Sequence, residues 1–146
     1  MKRRFEGLRE AARSISDELP DGIFLVRVER VQYRWHAQKP FYVLRFSLLE
    51  PQEFAGRIIF ARLYCTSRAL WKLSWFLRDF GYDTELFGRE EIDERALLGL
   101  RGVIKISHIV INGTRLINLE GFAPVSQWEE LALVCGAKTN GSEVGG

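Results

Sequence analysis

Gly22-Ile23-Phe24-Leu25-Val26-Arg27-Val28-Glu29-Arg30-Val31-Gln32-Tyr33-Arg34-Trp35 is the stretch on which the reading of the fold turns. Phe24, Val26 and Val28 occupy one parity, whereas Val31, Tyr33 and Trp35 occupy the other. A period of two that changes phase near Glu29-Arg30 predicts one long strand over residues 23–35, interrupted by a bulge or a strong bend. If Phe24, Val26 and Val28 face a core, Arg27 faces away from it. Past the bend, Arg30, Gln32 and Arg34 do so too.

Upstream, Leu19-Pro20-Asp21-Gly22 is a turn signal that opens the ordered domain. Downstream, His36-Ala37-Gln38-Lys39-Pro40 reads as a connecting loop. Residues 41–49 form the second expected strand, with Tyr42, Leu44, Phe46 and Leu48 inward and Phe41, Val43, Arg45 and Ser47 outward. Gly56 opens a third, in which Ile59, Ala61, Leu63 and Cys65 alternate with Ile58, Phe60, Arg62 and Tyr64. The spacing of Leu70, Leu73, Leu77 and Phe80 then predicts a helix over residues 68–80, capped by Ser67 and stopped by Gly81. A second short helix is expected over residues 90–98. Residues 102–111 and 114–119 are strands four and five, joined at Asn112-Gly113, the preferred chemistry of a tight hairpin. Ser126-Gln127-Trp128-Glu129 has the form of a capping box opening a terminal helix. Three strands, a helix and a two-strand hairpin, with a bent first strand, is the chain order of the five-stranded OB-fold barrel. The expectation is therefore a mainly β domain with a helix between strands 3 and 4 and short terminal helices. A split sheet with packed helices is the runner-up.

A chain of 146 residues, 47% hydrophobic, is the size of one domain with its own core. Residues 1–18 interleave Arg and Glu around Phe5, Leu8, Ala12 and Ile15, which reads as a charged arm or short helix. Residues 19–134 form the domain. Residues 135–146 have almost no apolar content and read as a disordered tail. No apolar run reaches the ~20 residues of a membrane span, and the first residues lack the apolar centre of an export signal, so the expected location is the cytoplasm. Cys65 and Cys135, far apart and without a Cys-x-x-Cys spacing, are expected to stay reduced. With only His36 and His108 beside them, they suggest no metal cluster, and no cofactor is expected.

Motifs for catalysis are missing: there is no Gly-rich phosphate loop, no His-Glu-x-x-His and no Gly-x-Ser-x-Gly. Glu90, Glu91, Asp93 and Glu94 have the spacing of a solvated helix face. His108, mid-strand between Ile106 and Val110, reads as a hydrogen-bonded barrel histidine. Trp71 and Trp75 are assigned to the core of the helix, and Trp128 to closure of the barrel. The reading is non-enzymatic.

Charge is the more informative signal. The net charge is only +2, but residues 22–78 hold ten basic against three acidic side chains, a net +7. Residues 79–146 hold six against eleven, a net −5, and the first 21 residues balance at five each. On the outward parity, strands one to three mix arginine with aromatics. Exposed rings stack on bases while guanidinium groups neutralise phosphates, so this face predicts single-stranded nucleic acid as partner. Arg34, Lys39, Arg45, Arg57 and Arg62 are the expected phosphate contacts. Trp35, Phe41, Phe60 and Tyr64 are the expected stacking residues. DNA and RNA both stay open, since no motif reads a 2′-hydroxyl. A different class, a protein-interaction module or homo-oligomer using the same face, stays open as well. So does cover of the aromatics by the N-terminal arm or another subunit.

Several segments carry a family resemblance. Leu19-Pro20-Asp21-Gly22, Leu44-Arg45-Phe46-Ser47-Leu48-Leu49-Glu50, Ala55-Gly56-Arg57-Ile58-Ile59 and Arg62-Leu63 resemble the phage and prophage DUF669 family. Leu98-Gly99-Leu100-Arg101-Gly102-Val103-Ile104-Lys105-Ile106 and Asn118-Leu119-Glu120-Gly121-Phe122-Ala123-Pro124 do so too. The resemblance spans about residues 19–125. It implies an OB-like protein of phage or mobile-element replication, recombination or repair, with single-stranded DNA binding as its activity and no catalytic residues. The acidic tail through which many single-strand binding proteins recruit partners has no counterpart, because residues 136–146 contain only Glu143 against Lys138.

Overall fold

Strands β1 (Gly22–His36), β2 (Lys39–Glu50), β3 (Ile58–Tyr64), β4 (Arg101–Ile111) and β5 (Thr114–Ala123) form one antiparallel sheet in the order β3-β2-β1-β4-β5. This computed structural model describes residues 2–6 and 19–136. The expected arm lies outside the described residues except for 2–6, as does the tail beyond residue 136.

The phase change in β1 is a bulge. Val28 pairs with Phe46 and Arg30 with Arg45, so Glu29 is one residue more than β2 can match. β4 pairs with β1 only from Gly22 to Arg27. Beyond that, Val28 exchanges backbone hydrogen bonds with Leu100 and Gly99, both 2.8 Å, and β1 continues with β2 alone. A second irregularity in the same ladder lies between Leu25 and Val26.

Between β3 and β4 run helices α1 (Leu70–Asp79), α2 (Thr84–Gly88) and α3 (Glu94–Leu97), and α4 (Trp128–Gly136) follows β5. The helix expected over residues 68–80 starts at Leu70, because Ser67 does not cap it and the preceding residues close a separate turn, with Ala69 N–H donating to Thr66 at 2.9 Å. Gly81 stops it in the left-handed conformation, φ 74°, and Tyr82 N–H reaches back to the Leu77 carbonyl. The helix expected over residues 90–98 is the single turn α3, capped by Asp93. The turn α2, capped by Asp83, precedes it and was not expected.

The core lies on the inner side of the sheet. Phe24, Val26, Val28, Leu44, Phe46, Leu48, Ile59, Leu63, Ile104, Ile106, Leu119 and Phe122 meet Leu73, Phe76 and Leu77 of α1 and its C-cap Phe80. Their rings interlock, with Phe76 at 4.6 Å from Phe80 and 5.5 Å from Phe122. Close approach depends on glycine: a Cβ on Gly102 would sit 2.5 Å from the Phe80 ring, and one on Gly121 2.8 Å from Trp75. Trp75 packs edge-on to Phe122 as expected of a core residue. Trp71 corrects the expectation: it is 63% exposed and stacks on Trp75 from outside. Trp128 is buried in a smaller cluster with Leu25 and Val103, on the opposite side of the sheet.

No backbone ladder joins β3 to β5, so the sheet is not closed into a barrel. The two edge strands approach each other, and α1 touches both. Its large side chains fill the space that direct strand pairing would otherwise close.

The two hairpins differ in turn chemistry. Asn112 and Gly113 adopt left-handed φ values of 51° and 78°, the conformation their residue types favour. The region expected as a loop over residues 36–40 is a two-residue turn, with His36 paired to Lys39 and left-handed φ values of 51° at Ala37 and 63° at Gln38. Neither residue suits that region. Gln38→Gly is expected to stabilise the domain by about 0.5–1 kcal/mol, raising Tm by about 2–4 °C. Gly102→Ala, which drives a methyl group into Phe80, is expected to cost about 1–3 kcal/mol. Thermal denaturation of the two variants checks both signs.

Candidate functional site

Register turns the outer side of β1, β2 and β3 into a grid. Arg34, Phe41 and Tyr64 lie side by side across the three strands, and Gln32, Val43 and Arg62 form the next row. Arg30, Arg45 and Phe60 follow, then Arg27, Ser47 and Ile58. Along β2 these rows cover about 20 Å, and neighbouring strands stand about 4.8 Å apart. The bulge at Glu29 is what brings Arg27 and Arg30 to the same side.

Within this grid the expected residues take different roles. Phe60 is the open aromatic, 62% exposed on an edge strand. Arg62 is exposed, and its guanidinium lies 4.8 Å above the Phe41 ring. Tyr64, half-buried, packs against Phe41 with ring centroids 5.3 Å apart. Phe41 is consequently only 3% exposed. It points outward as expected, but the base-stacking role is corrected, because Arg62 and Tyr64 already occupy its surface. Trp35 lies outside the grid: it is 63% exposed near the tip of the β1–β2 hairpin, but on the parity of Tyr33, against which it packs edge-on at 6.4 Å, so it points to the other side of the sheet from Arg34 and Phe41. Arg34 donates to Gln32 at 2.7 Å. Arg57 lies at the opposite end of β3, over the Phe54 ring at 5.8 Å. The fold thus brings Arg34, Trp35, Lys39, Phe41, Arg62 and Tyr64 to one end of the sheet, and leaves Arg45 and Phe60 midway and Arg57 apart.

Glu29 is the acid in the midst of these arginines. Arg27 donates to it at 2.9 Å, and that hydrogen bond holds its carboxyl below the ordinary carboxylate value. Arg30 and Arg45 stand directly opposite each other, an unfavourable like-charge pair. The Nε of Arg45 is buried with no hydrogen-bond partner among the described residues.

At the hairpin end the face runs into a groove of about 550 Å³ lined by Lys39, Tyr64, Thr66, Ser67, Arg68 and Ala69. Sequence reasoning missed Thr66, Ser67 and Arg68 here. Helical spacing assigns Ser67 and Arg68 to a helix that in fact begins later, as its cap and first turn, and gives Thr66 no role.

Elsewhere, His108 is a hydrogen-bonded histidine as expected, with Nδ1 2.6 Å from Asp21. Asp93 caps α3, while Arg89 pairs with Glu85 and Glu91. Burial pushes the Cys65 thiol above its ordinary value, opposite to what activates a nucleophile. Among the described residues no three His, Cys, Asp or Glu side chains are grouped to hold a metal, and no helix is long and apolar enough to cross a membrane.

No protein-family model matches the chain, and no curated protein is significantly similar to it.

The grid separates packing from exposure in a way that stability measurements resolve. Phe41→Ala is expected to cost about 3 kcal/mol, as for a filled aromatic site, whereas Phe60→Ala is expected to stay within about 0.5 kcal/mol of the parent. Urea denaturation of the two variants makes the comparison.

Proposed function

We propose that this chain is a non-enzymatic OB-type domain that binds single-stranded DNA across the outer side of β1, β2 and β3. The observation that carries the reading is the row Arg30–Arg45–Phe60. Two arginines are held opposite each other, with Glu29 of the adjoining bulge bonded to Arg27, next to an exposed ring. Such a row is costly on a surface that meets only water and favourable against a strand offering phosphates and bases alternately. Arg34, Lys39, Arg45 and Arg62 hold phosphates, and Phe60 and Tyr64 offer rings, while Trp35, on the parity of Tyr33, adds a ring only at the hairpin tip, from the other side of the sheet. Arg57 is a peripheral contact at the far end of β3.

The finer fold is part of the same proposal. Sheet order β3-β2-β1-β4-β5, a bulged β1 and a helix after β3 is the arrangement of an OB barrel whose closing strand pair is replaced by α1. The resemblance to the DUF669 family suggests a cytoplasmic setting in phage or mobile-element replication or recombination, and it rests on the quoted segments alone.

A second reading, a protein-interaction module or self-associating subunit, is favoured by one feature. Phe60 stands exposed on β3, a free edge of the sheet.

Fluorescence titration with oligothymidine at low and high salt tests the first reading. Contact with three to five phosphates predicts a log–log salt slope of about −2 to −3.5. Loss of one stacking ring in Phe60→Ala predicts affinity about 5- to 150-fold weaker. Oligouridine in place of oligothymidine reports the preference for DNA over RNA. No binding at low salt would overturn the proposal. Unchanged DNA affinity in Phe60→Ala and Tyr64→Ala, together with loss of a dimer in sedimentation, would establish the second reading in its place.

A further inference from the structure

The groove at the hairpin end differs chemically from the rest of the face. Lys39 approaches it from the start of β2, Tyr64 from the end of β3, and Thr66, Ser67 and Arg68 from the turn before α1. Its lining combines two cations, two aliphatic hydroxyls and a phenol ring, and includes no carboxylate. Neither Lys39 nor Arg68 has an ion-pair partner among the described residues. The walls are fixed by backbone: Cys65 N–H donates to the Pro40 carbonyl at 2.9 Å, and Ala69 N–H to Thr66 at 2.9 Å. Behind Tyr64, the buried Phe41 ring holds the phenol in place.

We infer that this groove is a subsite for a single nucleotide, with its phosphate held by Lys39, Arg68 and the Thr66 and Ser67 hydroxyls and its base laid on Tyr64. The inference rests on the nucleic-acid reading of the adjoining face, and deepens it by giving the bound strand a fixed anchor point. A volume of about 550 Å³ lies within the usual ~300–1,000 Å³ of small-ligand sites. A bare phosphate would leave the aromatic wall unused. A base without its phosphate would leave two cations unpaired. The combination fits a nucleoside monophosphate, free or as one unit of a strand.

Amide chemical shifts of the full chain, followed during titration with thymidine 5′-monophosphate, provide the test. Saturable shifts over residues 64–69 and at Lys39 are expected. Thymidine and inorganic phosphate should each require at least about tenfold higher concentration for the same response, since each engages only part of the lining. The double variant Lys39→Gln/Arg68→Gln should lose the monophosphate response. Its oligothymidine salt slope should fall by about 0.7, one phosphate, while the strand still binds through Phe60 and Arg62. Both substitutions are at exposed positions, and an unchanged amide spectrum away from the groove confirms that the variant is folded. Absence of shifts over residues 64–69, or a double variant that keeps the full response and slope, would overturn the inference and leave binding on the open face intact. If the monophosphate saturates the groove but oligothymidine does not bind the parent protein, the subsite stands and the face reading falls.

Discussion

Between Val28 and Arg30, β1 carries one residue more than β2, and that mismatch sets which side chains reach which side of the sheet. In an unbroken strand, the parity that buries Phe24, Val26 and Val28 would also turn Arg30, Gln32 and Arg34 toward the core. Burying arginines without partners costs several kcal/mol each, far more than one unpaired strand position. Placing Glu29 in a bulge removes the conflict. It also keeps Val31 against the core and brings Arg30 beside Arg45. Because β4 leaves β1 at Arg27, the second half of β1 extends with β2 as a hairpin. The arginine face and the groove at its end both depend on that extension.

The second constraint comes from α1. Three of its side chains, Leu73, Phe76 and Leu77, and its C-cap Phe80 enter the core, and Gly102 and Gly121 allow the helix to lie close against β4 and β5. Lys72 strengthens the attachment by donating to the Leu119 carbonyl, at a position where burial lowers the pKa of its ammonium group. With the inner side filled in this way, and α4 packed against Ile23, Leu25, Leu49, Val103 and Ala123 on the outer side, no helix among the described residues covers the outer side of β2 and β3. The surface proposed for binding is thus the remainder of a packing solution.

Alternation was enough to place most of this architecture. The inward residues of β1, β2 and β3, the bulge, the Asn112-Gly113 turn and the helix after β3 were all legible because each rests on neighbours within a few positions. What could not be read depends on register. Parity put Phe41 on the outer side, but its cover comes from Arg62 and Tyr64, whose positions relative to it follow only from the pairing of Phe41 with Tyr64. The same pairing brings Lys39 near Thr66, Ser67 and Arg68, which no local pattern joins. Arg57 shares a strand region with Arg62 but lies at its other end, a separation that charge counting does not record. Trp71 and Trp75, four residues apart, share one helical face in projection. Only the docking of the helix on β5 decides that one ring meets Phe122 and Gly121 and the other meets water.

Electrostatics explains why a nearly neutral chain can present a basic surface. The acidic residues are largely committed within the fold: Asp83 and Asp93 cap helices, Glu85 and Glu91 pair with Arg89, Glu120 pairs with Lys105, and Glu29 is held by Arg27. Exposed pairs of this kind contribute little stability, about 0–1 kcal/mol, yet they cancel their own fields at short range. At the face itself, Arg30 and Arg45 stand opposite each other, with Glu29 of the bulge shared between Arg27 and Arg45 as the one nearby acid among the described residues. The cost of holding them together is small enough for the fold to bear and is relieved when an anion lies between them. A phosphate backbone supplies such anions at regular intervals, whereas a single free ion would satisfy one row and leave the others unchanged.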